Sequence, residues 1–369
     1  MHSIKMELMN SFEIWDKEFR AQNLYAFNHS SSALLWLKVR AVCRGSQIKE
    51  FCERYQIILK SSSLAAKHKE LFNLLEQDPD SAHILDEFLC DKSNEWYKRL
   101  NIDDSRLKDD LYNVKYYVWG GNQNNSLDKH LVSRFVKVIS NYDELIKAQA
   151  EIADNAWNYV LTSWYNNWTS YLIESLFKRH SRVIPAIGEI KCVDFFIDDI
   201  PLDLKVTFFP NQYMNVKLKE KLSMGELAWL KREAKKVSVS VNNNQANAQQ
   251  LYIITERLKE LGHISILNRL NKYKQEVINE AKNNPLELMT WLYANQGEMR
   301  FGSENRLYVI LVDSFDLNES WKMKRAFNLI EPIVKQYIDK FSVSSMKLIN
   351  FTFKKVAYRS LADALFVIK

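Results

Sequence analysis

The sequence predicts an α/β protein with a helical leading part, and three observations carry that prediction. The first 115 or so residues place apolar side chains at three- and four-residue spacing, the period of an amphipathic helix. Arg182 to Phe209 then turns abruptly rich in Ile, Val and Phe, as strands are. Arg306 to Asp313 (RLYVILVD) is short and almost wholly apolar, as expected of a strand covered on both faces.

Taken in order, Ser32 to Val42, Gln47 to Lys60 and Leu64 to Glu76 read as helices. Asp78-Pro79-Asp80-Ser81 interrupts them, and Ser81 is the expected N-cap of the next helix. Trp119-Gly120-Gly121 with Asn122 to Ser126 is the clearest loop and the expected boundary between a helical region, 1–125, and a second domain, 126–369. A long helix is expected from about Ile152 to His180, with Trp157, Leu161, Trp164, Trp168, Leu172 and Leu176 as its apolar stripe. Two or three strands follow, then helices over Ser223–Lys236, Ala246–Leu261 and Ile266–Lys282. After the 306–313 strand, Glu319 to Phe341 reads as one helix, with closing strands over Lys347–Lys354 and Ala364–Ile368.

Composition narrows the class of function. With 47% hydrophobic and 26% charged residues, the chain reads as a soluble globular protein, and no apolar run is long enough to span a bilayer. Cysteines 43, 52, 90 and 192 form no CxxC pair and read as reduced thiols; the seven histidines form no metal-binding motif. Charge is unevenly divided. Residues 1–150 hold 21 basic and 21 acidic side chains, so the whole +6 lies beyond them. If a polyanion is bound, the second part is the expected place.

The segment Val193 to Thr207 (VDFFIDDIPLDLKVT) carries the chemistry. Asp198-Asp199 is a turn-favouring pair between two apolar runs, so an antiparallel hairpin is expected, with Ile197 facing Ile200. Val193, Phe195, Ile197, Ile200, Leu202, Leu204 and Val206 then share one apolar face, which pins the register. Cys192, Asp194, Phe196, Pro201, Asp203, Lys205 and Thr207 share the other, with Asp194 opposite Asp203. Opposed like charges are unfavourable unless a cation lies between them. Carboxylate oxygens suit Mg²⁺ or Mn²⁺, which polarises a phosphoryl oxygen, and a neighbouring lysine can orient or deprotonate water. The bland reading is an edge hairpin whose charges face solvent.

Asp194 followed across a hairpin by Asp203-Leu204-Lys205 resembles the PD-(D/E)xK superfamily, which includes most restriction endonucleases. The resemblance covers about 155 to 210, and as coarse topology extends to 313; Val193 stands where the family name has proline. It implies a restriction-endonuclease-like core and Mg²⁺-dependent cleavage of DNA, with Mn²⁺ as a substitute. Asp194, Asp203 and Lys205 would be its catalytic residues. It also implies a bacterial, cytoplasmic enzyme acting as a homodimer, because cutting both strands needs two sites. An acid from the preceding helix often completes the metal site; Glu174 matches that role, and Glu189 competes for it. The other readings are a defence or repair nuclease without sequence specificity, an RNA-cutting effector, and a non-catalytic helical DNA-binding or interaction protein.

Weaker signals follow the hairpin. Lys217, Lys219, Lys221, Lys231, Arg232, Lys235 and Lys236 form a basic stretch that suits a DNA backbone or a solvated helix face; Lys231, Arg232 and Lys235 are its expected contacts. Asn242, Asn243, Asn244, Gln245, Asn247, Gln249 and Gln250 offer amides to adenine edges, or form a polar loop. Asp313, ending the buried strand, reads as a turn residue or as the start of a functional loop.

Overall fold

A computed structural model describes residues 10–78, 80–118, 126–187, 192–240, 244–297 and 301–369. The protein is α/β, built on a six-stranded mixed sheet of order β1-β2-β3-β4-β6-β5. The strands are β1 Val183–Pro185, β2 Phe195–Ile197, β3 Ile200–Phe208, β4 Arg306–Val312, β5 Lys347–Phe353 and β6 Val356–Ile368. β1, β2 and β3 are antiparallel, β4 is parallel to both β3 and β6, and β5 is antiparallel to β6.

The expected hairpin forms in the expected register, with Ile197 opposite Ile200 and Phe195 opposite Leu202. Its turn residues Asp198 and Asp199 have φ 46° and 63°, the two left-handed residues that a type I′ turn requires. Both turn carboxylates are anchored, Asp198 by Arg182 at 2.5 Å and Asp199 by Lys38 at 3.0 Å.

All seven residues of β4 are buried, because both of its faces are covered. On one face Phe195, Ile197, Leu202, Leu307, Val309 and Leu311 pack with Leu172, Ile173 and Phe177 of the long helix Gln149–Lys178 and with Ile330 and Val334 of helix Phe327–Lys340. The opposite face is covered in two parts. Phe196 and Val193 join Trp36, Phe51, Phe72 and Phe88 from helices between residues 11 and 100. Tyr308, Ile310, Val312, Ile349 and Phe351 lie under helices between 211 and 294. The part of β3 between these two helical layers presents Asp203, Lys205 and Thr207, which alternate with the inward-facing Leu202, Leu204 and Val206.

Several expectations need correction. Val193 is not on the Phe195 face; it packs with Phe196. The expected pairing of Asp194 with Asp203 is not formed. The ladder ends at Phe195, Asp194 lies just outside β2, and its N–H donates to O of Leu202, the residue paired with Phe195, at 2.8 Å. Cys192, at φ 150°, makes that change of direction in a conformation L side chains rarely adopt. Trp157 is 59% exposed, whereas Tyr165, Ile173 and Phe177 are the long helix's most buried hydrophobic side chains. Asp80 occupies the N-cap position of helix Ser81–Leu100, in place of Ser81. Glu319 to Phe341 is divided into a 3₁₀ segment, Leu317–Arg325, and the helix Phe327–Lys340. Helices Asn211–Leu222 and Leu286–Ala294 are additional to those expected. Residues 119–125 of the expected boundary loop and Glu189 lie outside the described residues, as do Asn242 and Asn243. Among the described residues, no helix is long and apolar enough to cross a membrane.

Candidate active site

The site begins where β3 passes from its antiparallel to its parallel neighbour. Asp203 is paired with Arg306, and its N–H donates to Asn305 O at 2.9 Å. Asp203 is only 6% exposed, and its carboxylate lies between two cations. Lys205 Nζ donates to Oδ1 at 2.8 Å, while Arg306 Nε stands 3.4 Å from Oδ2 without a hydrogen bond. Alternation explains the first contact: residues 203 and 205 point to the same side of the strand. The Lys205 side chain remains 45% exposed, so it reaches solvent from a carboxylate that does not.

Asp194 arrives from the neighbouring strand. Its Oδ2 accepts from the Leu204 N–H at 2.7 Å, and its backbone carbonyl accepts from Ala186 N at 3.0 Å. The irregular entry into β2 therefore aims the Asp194 carboxylate at the backbone between Asp203 and Lys205. These three residues meet at one place. Glu174 is near enough to influence Asp194 but is ion-paired at 2.5 Å with Lys178, one turn along the same helix. Among the described residues, no group of three or more His, Cys, Asp or Glu side chains is arranged to hold a metal ion.

Electrostatics set the site apart from its surroundings. Burial pushes the Asp203 carboxyl up to about 6; Lys205 pulls against that shift, and the Glu304 and Asp194 charges add to it. Burial also raises Asp194, opposed by the Leu204 N–H and reinforced by Glu174. Burial raises the Cys192 thiol to about 12, and the Glu304 and Asp203 charges add to that shift.

Sequence reasoning missed the far side of this network. Glu304, Asn305 and Arg306 are all buried at the start of β4. Arg306 pairs with Glu304 at 2.9 Å and lies over the Tyr293 ring at 4.9 Å. Burial works against its charge, the Glu304 carboxylate favours it, and its Nη1 donates to Tyr308 Oη at 3.4 Å. Asn305 donates to Pro201 O at 3.0 Å and accepts from the Leu361 N–H at 3.0 Å, joining β3 to β6. One signal was available: Glu304, Asn305 and Arg306 are three consecutive polar residues that lead into the apolar run 307–312.

The donor set fits a hard divalent cation held by few protein ligands. Asp203 Oδ2 is buried without a hydrogen bond, Asp194 commits its Oδ2 alone, and two carboxylates with water and phosphate suffice for Mg²⁺. It does not form an all-protein cage. The remaining expected residues lie elsewhere. Lys231, Arg232 and Lys235 are on helix Glu226–Lys235, which packs in the cluster on the other side of the fold from the long helix. Gln250 is buried and bonds back to the Gln245 carbonyl within the polar segment. Asp313 is a turn residue, its Oδ1 accepting from the Phe315 N–H at 3.1 Å.

No protein-family model matches this chain, and neither a curated protein nor a solved structure matches it.

Proposed function

We propose that the protein is a Mg²⁺-dependent endonuclease that hydrolyses DNA phosphodiester bonds, of the restriction type and acting as a homodimer. One observation carries this reading: Asp203 meets Lys205 at 2.8 Å, while Asp194 is locked at 2.7 Å onto the backbone between them. Two carboxylates and a solvent-reaching lysine thus converge on the part of the sheet that lies between two helical layers. The order of a long helix, three antiparallel strands, further helices and a strand parallel to the third supports a restriction-endonuclease-like core.

Asp194 and Asp203 would hold the cation, which when bound supplies Lewis-acid polarisation of the phosphate and a more acidic water. Asp203 needs to be ionised for that role. Lys205 favours its charged form, and Arg306 lies 3.4 Å from its second oxygen. Lys205, exposed on the same strand face, orients the attacking water and stabilises negative charge gathering on the phosphate. Glu174 would join only by leaving Lys178.

A second reading also has an observation in its favour. Asp203 already faces a cation at each oxygen, as in a structural ion-pair network inside a non-catalytic protein. Incubating plasmid DNA with the protein and Mg²⁺ decides between them. Wild type is expected to cut, EDTA to stop cutting, and Asp203→Ala or Lys205→Ala to slow it by about 100-fold or more. Absence of cutting by wild type, or equal cutting by Asp203→Ala, would overturn the assignment. Discrete fragments would indicate sequence specificity, and a smear the unspecific nuclease.

A further inference from the structure

The segment 211–297, whose helices cover the β4 face, holds nearly all of the protein's net positive charge. Residues 211–297 contain thirteen Lys and Arg against eight Asp and Glu, a surplus of +5 in a chain whose total is +6. Part of that surplus is organised around one buried carboxylate. Glu233, only 4% exposed, accepts from Arg232 Nε at 3.1 Å and from Lys236 Nζ at 2.9 Å, and it pairs with Arg269 of helix Ile264–Asn283. Arg269 also lies over the Trp229 ring at 5.1 Å.

Three cations on one anion leave two uncompensated positive charges at a single place. Neutralising Glu233 would need only one partner, and exposed ion pairs contribute little to stability. Each of the three remains about half-exposed or more, with side-chain exposures of 49% for Arg232, 63% for Lys236 and 49% for Arg269. A guanidinium has five N–H donors, so both arginines, held through Glu233 and Trp229, keep donors to offer outward. A fixed set of outward donors with surplus charge suits phosphate oxygens.

We infer that Arg232, Lys236 and Arg269, assembled on Glu233, form a surface that binds the phosphate backbone of duplex DNA. The inference draws on the nuclease reading only in choosing DNA as the polyanion. It shares Arg232 with the expected contacts and adds Lys236 and Arg269, which meet where the end of helix Glu226–Lys235 packs on helix Ile264–Asn283.

Equilibrium binding of a fluorescently labelled DNA duplex, measured in EDTA over a range of salt concentrations, tests it. The Arg232→Gln/Lys236→Gln/Arg269→Gln variant should bind at least about tenfold more weakly near 0.1 M salt. Its log–log salt slope should be shallower by about 0.9 for each phosphate that is no longer neutralised. A control, Arg20→Gln/Lys49→Gln/Arg106→Gln, removes the same charge from exposed positions elsewhere and should leave affinity and slope near wild type. Thermal unfolding establishes that both variants are folded. Absence of duplex binding by wild type, equal losses in the two variants, or a preference for RNA over the duplex would each overturn the inference. A wild type that binds through this cluster but never cuts with Mg²⁺ would sink the active-site assignment and leave the cluster standing.

Discussion

Asp203 is the residue at which stability and proposed activity oppose each other. Burial favours its protonated form, up to about 6, although Lys205 favours the charged one. An unfolded aspartate loses its proton near ~3.9. The folded protein therefore binds more protons than the unfolded one between those two values. The stability linked to that proton is fully present below about pH 4 and is lost as pH rises through about 6. Asp203→Asn has no such proton to lose. In metal-free buffer, urea denaturation should show wild type losing stability relative to Asp203→Asn as pH rises from about 4 to about 7. The change should be at most about 3 kcal/mol. A difference that stays flat with pH would remove the argument that burial acts against the carboxylate.

At the scale of elements, two hairpins use the same turn with different sequence signals. Asp198-Asp199 is recognisable as a turn, and its left-handed residues are anchored by Arg182 and Lys38. Lys354 and Lys355, with φ 47° and 69°, make the corresponding two-residue turn between β5 and β6. Nothing in a Lys-Lys pair announces it, because lysine gains nothing from a positive φ. Asn-Gly is the pair that such a turn favours. Lys354→Asn/Lys355→Gly should therefore stabilise the protein by about 1–2 kcal/mol in chemical denaturation. An unchanged or lower midpoint would mean that other interactions of these lysines outweigh the backbone gain.

At the scale of the molecule, the leading helices share a core with the sheet. Phe196 and Val193 lie among side chains from residues 12 to 89, and Lys38, buried on helix Ser31–Ala41, reaches both Asp86 at 2.8 Å and Asp199 at 3.0 Å. Ser303 and Asn305, at the approach to β4, bond to Gln22 and Asn28. A chain lacking residues 1–100 would expose Phe196, Val193 and Ile184 together, a contiguous apolar surface of the kind that drives association. Size-exclusion chromatography of that truncation should show aggregates where the full chain gives a defined species. A well-behaved folded fragment would show that the sheet does not need this layer.

The α/β class, the hairpin register between Phe195 and Leu202 and the identity of the three residues that meet at the candidate site were legible in the sequence. Those features follow from local rules: strands alternate, apolar faces pin register, and a two-residue turn fixes which residues oppose. Packing in three dimensions settled the rest. Asp194 bonds the Leu204 N–H because the chain enters β2 irregularly. Arg306 and Glu304 reach Asp203 because β4, about a hundred residues later, is the parallel neighbour of β3. Glu174 stays with Lys178, since a partner one turn away competes with one across the fold. Arg269 joins Arg232 and Lys236 only where two helices pack. Each of these depends on burial or on neighbours distant in sequence, and neither leaves a periodic trace for a local pattern to reveal.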